Sequence, residues 1–271
     1  MLSDLGPGLG LNLAATALVL LACVLALWLL SIRLRDVSII DIFWGPGFGV
    51  VAVLGWFLSA DVDSDPRRTI VTLLTTVWAA RLGLYLWWRN HGKGEDPRYT
   101  AAFRKRHEGR RLHLHTLTKV FLLQGALIWL ISIPVQLAQY LERPAGIGGV
   151  AMLGILLWAA GFLFEAIGDR QLARFRADPS MHGRILDTGL WRYTRHPNYF
   201  GNACLWWGLW LLACDSPLGL LTAFSPLLMT HFLLNVTGKR LLEKRMARTR
   251  PGYADYVART SGFLPWPPKR G

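Results

Sequence analysis

Apolar runs close to the length a helix needs to cross a bilayer, about 20 residues for ~30 Å of hydrocarbon, recur along the chain. They fall at residues 11–32, 39–60, 69–88, 117–140, 146–167, 199–214 and 218–236. Inside hydrocarbon every backbone N–H and C=O must find its partner within the protein, which a helix achieves segment by segment. The sequence therefore predicts an all-α, polytopic integral membrane protein with seven transmembrane helices. Only 17% of residues are charged and mean hydropathy is +0.31, against about 25% charged in a soluble domain. The first run lacks a basic flank and exceeds the apolar stretch of a secretory signal, so it reads as a mature helix.

Charge placement sets the expected orientation. The 30 Lys and Arg against 17 Asp and Glu leave a formal net charge of +13. On one side fall Arg33 and Arg35, then residues 89–119, 170–195 and 239–270; the other side has Arg67, Arg68 and Arg143 beside Asp61, Asp63 and Asp65. By the positive-inside rule the N-terminus is expected outside and the C-terminus in the cytoplasm. Topology and attraction to membrane lipids absorb the basic surplus, so nucleic acid is excluded as a partner. Cys23, Cys204 and Cys214 have no ligand spacing, and no metal site or disulfide framework is expected. With no linker or repeat, residues 1–271 read as one membrane domain, and a monomer is consistent with the sequence.

Two basic segments carry more chemistry than topology requires. Glu165 and Asp169 stand one turn apart on the helix leaving the fifth span. Asp169 there suits either an intrahelical pairing toward Arg176 or a polar ligand. Before span six, Arg184, Arg192, Arg195 and His196 surround Pro197, whose fixed φ opens a helix with free N–H groups that favour anions. Asn198 and Asn202 follow at i, i+4, an arrangement that turns toward protein or ligand within a bilayer. In the apolar half, Asp41, Tyr85 and Gln124 are the polar residues within spans, and Trp44 precedes Gly45. Asp41 also suits capping of its own helix or pairing with Arg81.

The stretch from Gly189 to Gly201, Gly-Leu-Trp-Arg-Tyr-Thr-Arg-His-Pro-Asn-Tyr-Phe-Gly, resembles the C-terminal signature of the steroid 5α-reductase superfamily, in its bacterial branch known as a domain of unknown function. The order of the segments at 36–45, 81–85 and 253–256 fits the same family. The resemblance implies an NADPH-dependent membrane reductase that transfers hydride to the C=C bond of a 3-oxo-4-ene steroid or similar lipophilic enone. It implies Glu165, Asp169, Arg176, Arg184, Tyr193, Arg195, His196, Asn198, Asn202, Arg240 and Tyr253 as cofactor contacts, with residues 141–271 holding the cofactor. The family more often has Asn where Glu165 stands and Glu where Asn202 stands. Residues 1–140 would then form the substrate cavity, with Asp41 and Tyr85 catalytic and Trp44 and Gln124 against the substrate. The implied location is a bacterial inner membrane, with the cofactor site on the cytoplasmic face. Similar Arg-His-Pro-Asn-Tyr motifs occur in membrane methyltransferases of the isoprenylcysteine and phospholipid type, so S-adenosylmethionine is the alternative cofactor. No Gly-x-Gly-x-x-Gly follows a strand, so a dinucleotide would be held by helix ends and loops.

Overall fold

Apolar periodicity, cut by prolines and turn residues, resolves into helices throughout. The computed structural model describes residues 8–62, 66–142, 146–236 and 238–269. Among these no strand forms, and one isolated bridge joins Thr194 to Ser261. The helices are α1 (Leu9–Leu34), α2 (Ile39–Leu58), α3 (Pro66–Asn90), α4 (Gly109–Ala138), α5 (Gly149–Ala177), α6 (Pro197–Leu211), α7 (Pro217–Val236), α8 (Lys239–Thr249) and α9 (Tyr253–Arg259). Of the opposite-side charges, Asp63, Asp65 and Arg143 lie outside the described residues.

Six helices, α1 to α5 and α7, are long and apolar enough to cross a membrane. The expected span at 199–214 differs. It forms α6, 15 residues long, which at 1.5 Å per residue reaches only ~22 Å. The chain divides into two compact units: Met1–Gly149 with Leu212–Thr222, and Val150–Leu211 with Ala223–Gly271.

In the first unit α2 packs against α3 where Pro46 meets Gly83; a Cβ on Gly83 would lie 2.7 Å from the proline ring. Pro46 sits inside α2 and has no N–H, so the helix loses one backbone bond there. Beside this contact Phe48 is fully buried, edge-on to Trp78 at 5.6 Å. At one end of the unit buried amides join the helices: Asn12 Nδ2 donates to Gln136 Oε1 at 3.0 Å, and Gln139 Nε2 to the Ala52 carbonyl at 2.7 Å. Arg67, fully buried, pairs with Asp215 at 3.3 Å and donates to the Gly146 carbonyl at 2.8 Å. Losing one partner of such a pair costs about 3–5 kcal/mol, because the other charge stays buried.

In the second unit the register of α5 on α6 is fixed by missing side chains. Gly154, Gly161 and Gly168 recur every seven residues on α5, and Gly201 and Gly208 do so on α6. A Cβ on Gly161 would meet the Gly201 carbonyl at 2.5 Å, and one on Gly201 would meet the Glu165 nitrogen at 2.4 Å. The two backbones therefore touch, as small residues permit in membrane helix pairs.

Candidate functional site

Backbone contact between α5 and α6 sets their polar residues in register. Asn198 Nδ2 donates to Asp169 Oδ1 at 3.0 Å, and one turn deeper Asn202 Nδ2 donates to Glu165 Oε1 at 3.3 Å. Glu165, Asp169 and Asn202 are all buried, at 3%, 6% and 7% exposure. The result is a ladder of two acid–amide rungs. Among the described residues, the second amide oxygen of the ladder, Asn202 Oδ1, is buried without a hydrogen-bond partner. Leaving such an acceptor unmet costs on the order of 1–3 kcal/mol.

The loop before α6 is held from two directions. Trp191 Nε1 donates to the Gly168 carbonyl at 3.2 Å, and Leu190 N to Gln171 Oε1 at 3.0 Å. From the C-terminal side, Thr194 Oγ1 donates to the Phe263 carbonyl at 2.8 Å, Arg195 N to the Ser261 carbonyl at 2.9 Å and Trp266 N to the Tyr193 carbonyl at 3.0 Å. Tyr256 Oη donates to the Trp191 carbonyl at 2.5 Å. A strap of residues 260–266 thus runs alongside residues 191–195.

Arg195 and His196, both expected at the cofactor, meet at Glu243 of α8, and Arg195 also reaches the strap at Thr260. The Arg195 guanidinium donates to Glu243 Oε1 at 2.9 Å and to the carbonyls of Val257, in the last turn of α9, and Thr260, which caps it, where a cation complements the helix dipole. His196 Nε2 lies 3.2 Å from the same Glu243 oxygen, and its ring stacks in parallel with Tyr199, centroids 5.4 Å apart. Burial pushes the His196 pKa below the usual imidazole range, and the hydrogen bond to Glu243 only partly opposes it. Burial alone would raise the Glu243 carboxyl, but the bonds from His196 and Arg195 outweigh it and hold the group at about 2. Tyr253 is buried, and burial followed by the Glu243 charge lifts its phenol to about 12. Arg176, Arg184 and Arg240 are exposed, as is Tyr193 at 43%.

A second polar cluster lies in the first unit. Asp41 stands in the first turn of α2, after Ser38, whose N–H and hydroxyl both donate to Asp36. Tyr99 Oη donates to Asp41 Oδ1 at 2.6 Å, and an Arg98 guanidinium nitrogen to Oδ2 at 3.0 Å. Gln124 of α4 donates to Tyr99 Oη at 3.4 Å. Arg98 is shared with Asp96, which also caps the short helix Pro97–Tyr99. Burial, then the Asp41 charge, raises the Tyr99 phenol well above its ordinary value, so it keeps its proton as a neutral donor. Asp41 and Gln124 thus share one cluster through Tyr99. Tyr85 packs on Trp88 at 6.3 Å with Arg89 5.7 Å over its ring, and Trp44 lies edge-on to Phe48 at 5.6 Å.

Sequence reading missed Arg98 and Tyr99, which lie in the charged connector between α3 and α4. The available signal was Asp96-Pro97, a helix cap and first residue that mark an ordered turn rather than a loose loop.

These features define an integral membrane protein with a buried acid–amide ladder in one unit and an Asp–Tyr–Gln cluster in the other. The chain belongs to the DUF1295 family, described as a protein of unknown function, whose family model matches residues 27–260. An uncharacterized protein of Schizosaccharomyces pombe is 24% identical over 263 residues, covering 88% of this chain and 75% of that relative. No solved structure matches.

Proposed function

We propose that this protein is a membrane-embedded, NADPH-dependent reductase acting on the C=C bond of a lipophilic enone such as a 3-oxo-4-ene steroid. The observation that carries the reading is the α5–α6 ladder. Its buried, unpartnered Asn202 Oδ1 fits a hydroxyl or amide donor of a nucleotide, and Glu165 and Asp169 supply further acceptors nearby on α5. The exposed Arg176, Arg184 and Arg240 suit phosphate oxygens, which guanidinium forks grip in pairs. Arg195 and His196, joined at Glu243, stand at the entry to α6 beside the ladder. The resemblance to steroid 5α-reductases supports the same choice.

Bound NADPH supplies a hydride. The protein must meet the negative charge that develops on the substrate's carbonyl oxygen, and preorganised donors aimed at such charge commonly supply most of the rate acceleration. Asp41 and Tyr85 are the catalytic pair of this reading, with Trp44 and Gln124 beside the substrate. Tyr99 joins them as a phenol whose proton is held by burial and by Asp41. The basic segments face the cytoplasm of a bacterial inner membrane, with α6 completing a seventh crossing.

The test is turnover by the purified full-length protein in detergent. NADPH oxidation that depends on a 3-oxo-4-ene steroid, with deuterium from labelled NADPH recovered in the product, supports the reductase. Methyl transfer from S-adenosylmethionine to an isoprenylcysteine or phospholipid, with no NADPH oxidation on any enone, would replace it with the methyltransferase reading.

A further inference from the structure

One end of the first unit carries cations that its own acids do not balance. An Arg104 guanidinium nitrogen donates to the Arg35 carbonyl at 2.7 Å, and Trp28 Nε1 to the His113 carbonyl at 3.2 Å. Those two bonds tie the C-terminal part of α1 to the turn at residues 104–108 and to the N-terminal part of α4. Arg33, Arg35, Lys105, Arg106, Arg110 and Arg111 are all exposed there. Among the described residues none of the six forms an ion pair. Glu95 is already gripped by Arg104, and Asp36 accepts from Ser38. Glu108 is the exposed acid within the turn.

The apolar neighbours of these cations give the patch a direction. Leu114 stands one turn from Arg110 and Arg111 toward the apolar body of α4, and is 57% exposed. Leu30 stands in the same relation to Arg33 on α1, and is 44% exposed. Residues three and four apart share a helix face. On both helices a guanidinium therefore sits directly above an exposed leucine. That pattern matches a phospholipid, with acyl chain below and phosphate above. Five of the six cations are Arg, whose planar fork binds phosphate oxygens two at a time.

We infer that this face is a binding site for the phosphate of anionic phospholipid headgroups, gripped by Arg33, Arg110 and Arg111. A zwitterionic headgroup presents its own cation to the same arginines and is disfavoured. The site is independent of the reductase reading, since it uses none of the residues assigned there.

The full-length protein is reconstituted in nanodiscs of phosphatidylcholine alone, or of phosphatidylcholine with one third phosphatidylglycerol, and the lipid retained after mild detergent extraction is measured. Phosphatidylglycerol is expected to be enriched several-fold over its share and to raise the unfolding midpoint. Both effects are lost in the triple variant Arg33→Gln, Arg110→Gln, Arg111→Gln, which keeps the wild-type midpoint in phosphatidylcholine. Should the triple variant not fold, the wild-type enrichment is followed against ionic strength: loss with rising salt supports the site, and salt independence overturns it. Equal retention of both lipids by the wild type, or enrichment unchanged in the variant, also overturns it. Soluble glycerol phosphate added to phosphatidylcholine nanodiscs should leave the midpoint unmoved; an equal rise would assign the site to free phosphate and overturn the lipid.

Discussion

Asp41 shows how a single residue can be legible while its partner is not. An aspartate beside an apolar span is costly enough to be noticed from sequence, and Gln124 is noticeable on the same ground. Tyr99 carries no such mark, because it sits in a connector rich in charge and meets Asp41 only across 58 positions of chain. If these groups serve the enone oxygen, Asp41→Asn, Tyr85→Phe and Tyr99→Phe should each lower turnover, by about 100-fold where a single donor contributes on the order of 3 kcal/mol. NADPH binding should be unchanged, as measured by equilibrium titration. Wild-type turnover in all three variants would remove the assignment.

Glu243 and His196 yield a prediction about acid. Both have proton affinities below their ordinary values, the carboxyl at about 2 and the imidazole lowered by burial. The unfolded chain therefore binds more protons than the folded one, and stability must fall as pH drops. The His196 contribution is complete above about 6.5 and declines below it; that of Glu243 is complete above about 4.5 and declines toward 2. Proteolysis of the C-terminal strap should accelerate over that window. In Glu243→Gln the part below pH 4.5 should vanish, and an unchanged acid profile would show that the strap is held by other means.

Among the elements, α5 and α6 depend most on what is absent from them. The sevenfold glycine spacing was present in the sequence, but glycine is common in membrane helices, and only the paired register shows which ones face each other. Overpacking a close contact costs about 1–3 kcal/mol and occasionally more. Gly161→Val and Gly201→Val should therefore lower the unfolding midpoint and separate the Glu165–Asn202 rung, whereas Gly149→Val, where a Cβ meets nothing within 4 Å, should be nearly neutral. Equal effects at all three would refute backbone contact as the organising feature. In α6 the bounds differ from the hydropathy pattern: the apolar run covers 199–214, while Pro197 starts the helix two residues earlier and it ends at Leu211. A window average cannot see that a helix buried against protein has less need of full membrane length.

At the scale of the whole molecule, helical class and membrane character were legible because bilayer thickness imposes a length that hydropathy reports directly. Orientation rests on charge placement alone. Cysteines introduced at Lys269 and Gly10 should be labelled from opposite faces of sealed vesicles, the former from the cytoplasmic side. Labelling of both from one face would mean that α6 does not cross. The ladder is legible as residue types, since Glu165 and Asp169, and Asn198 and Asn202, are polar pairs one turn apart in or beside apolar runs. The pairing between them is not, because it depends on helix register.

If the α5–α6 ladder receives a nucleotide, NADPH titration of the full-length protein by calorimetry should separate the wild type from Asn202→Leu. Saturable binding by the wild type, weakened at least tenfold in a variant that is still folded without ligand, is the predicted result. Absence of NADPH binding by a folded wild-type protein, or equal affinity in both, would contradict it.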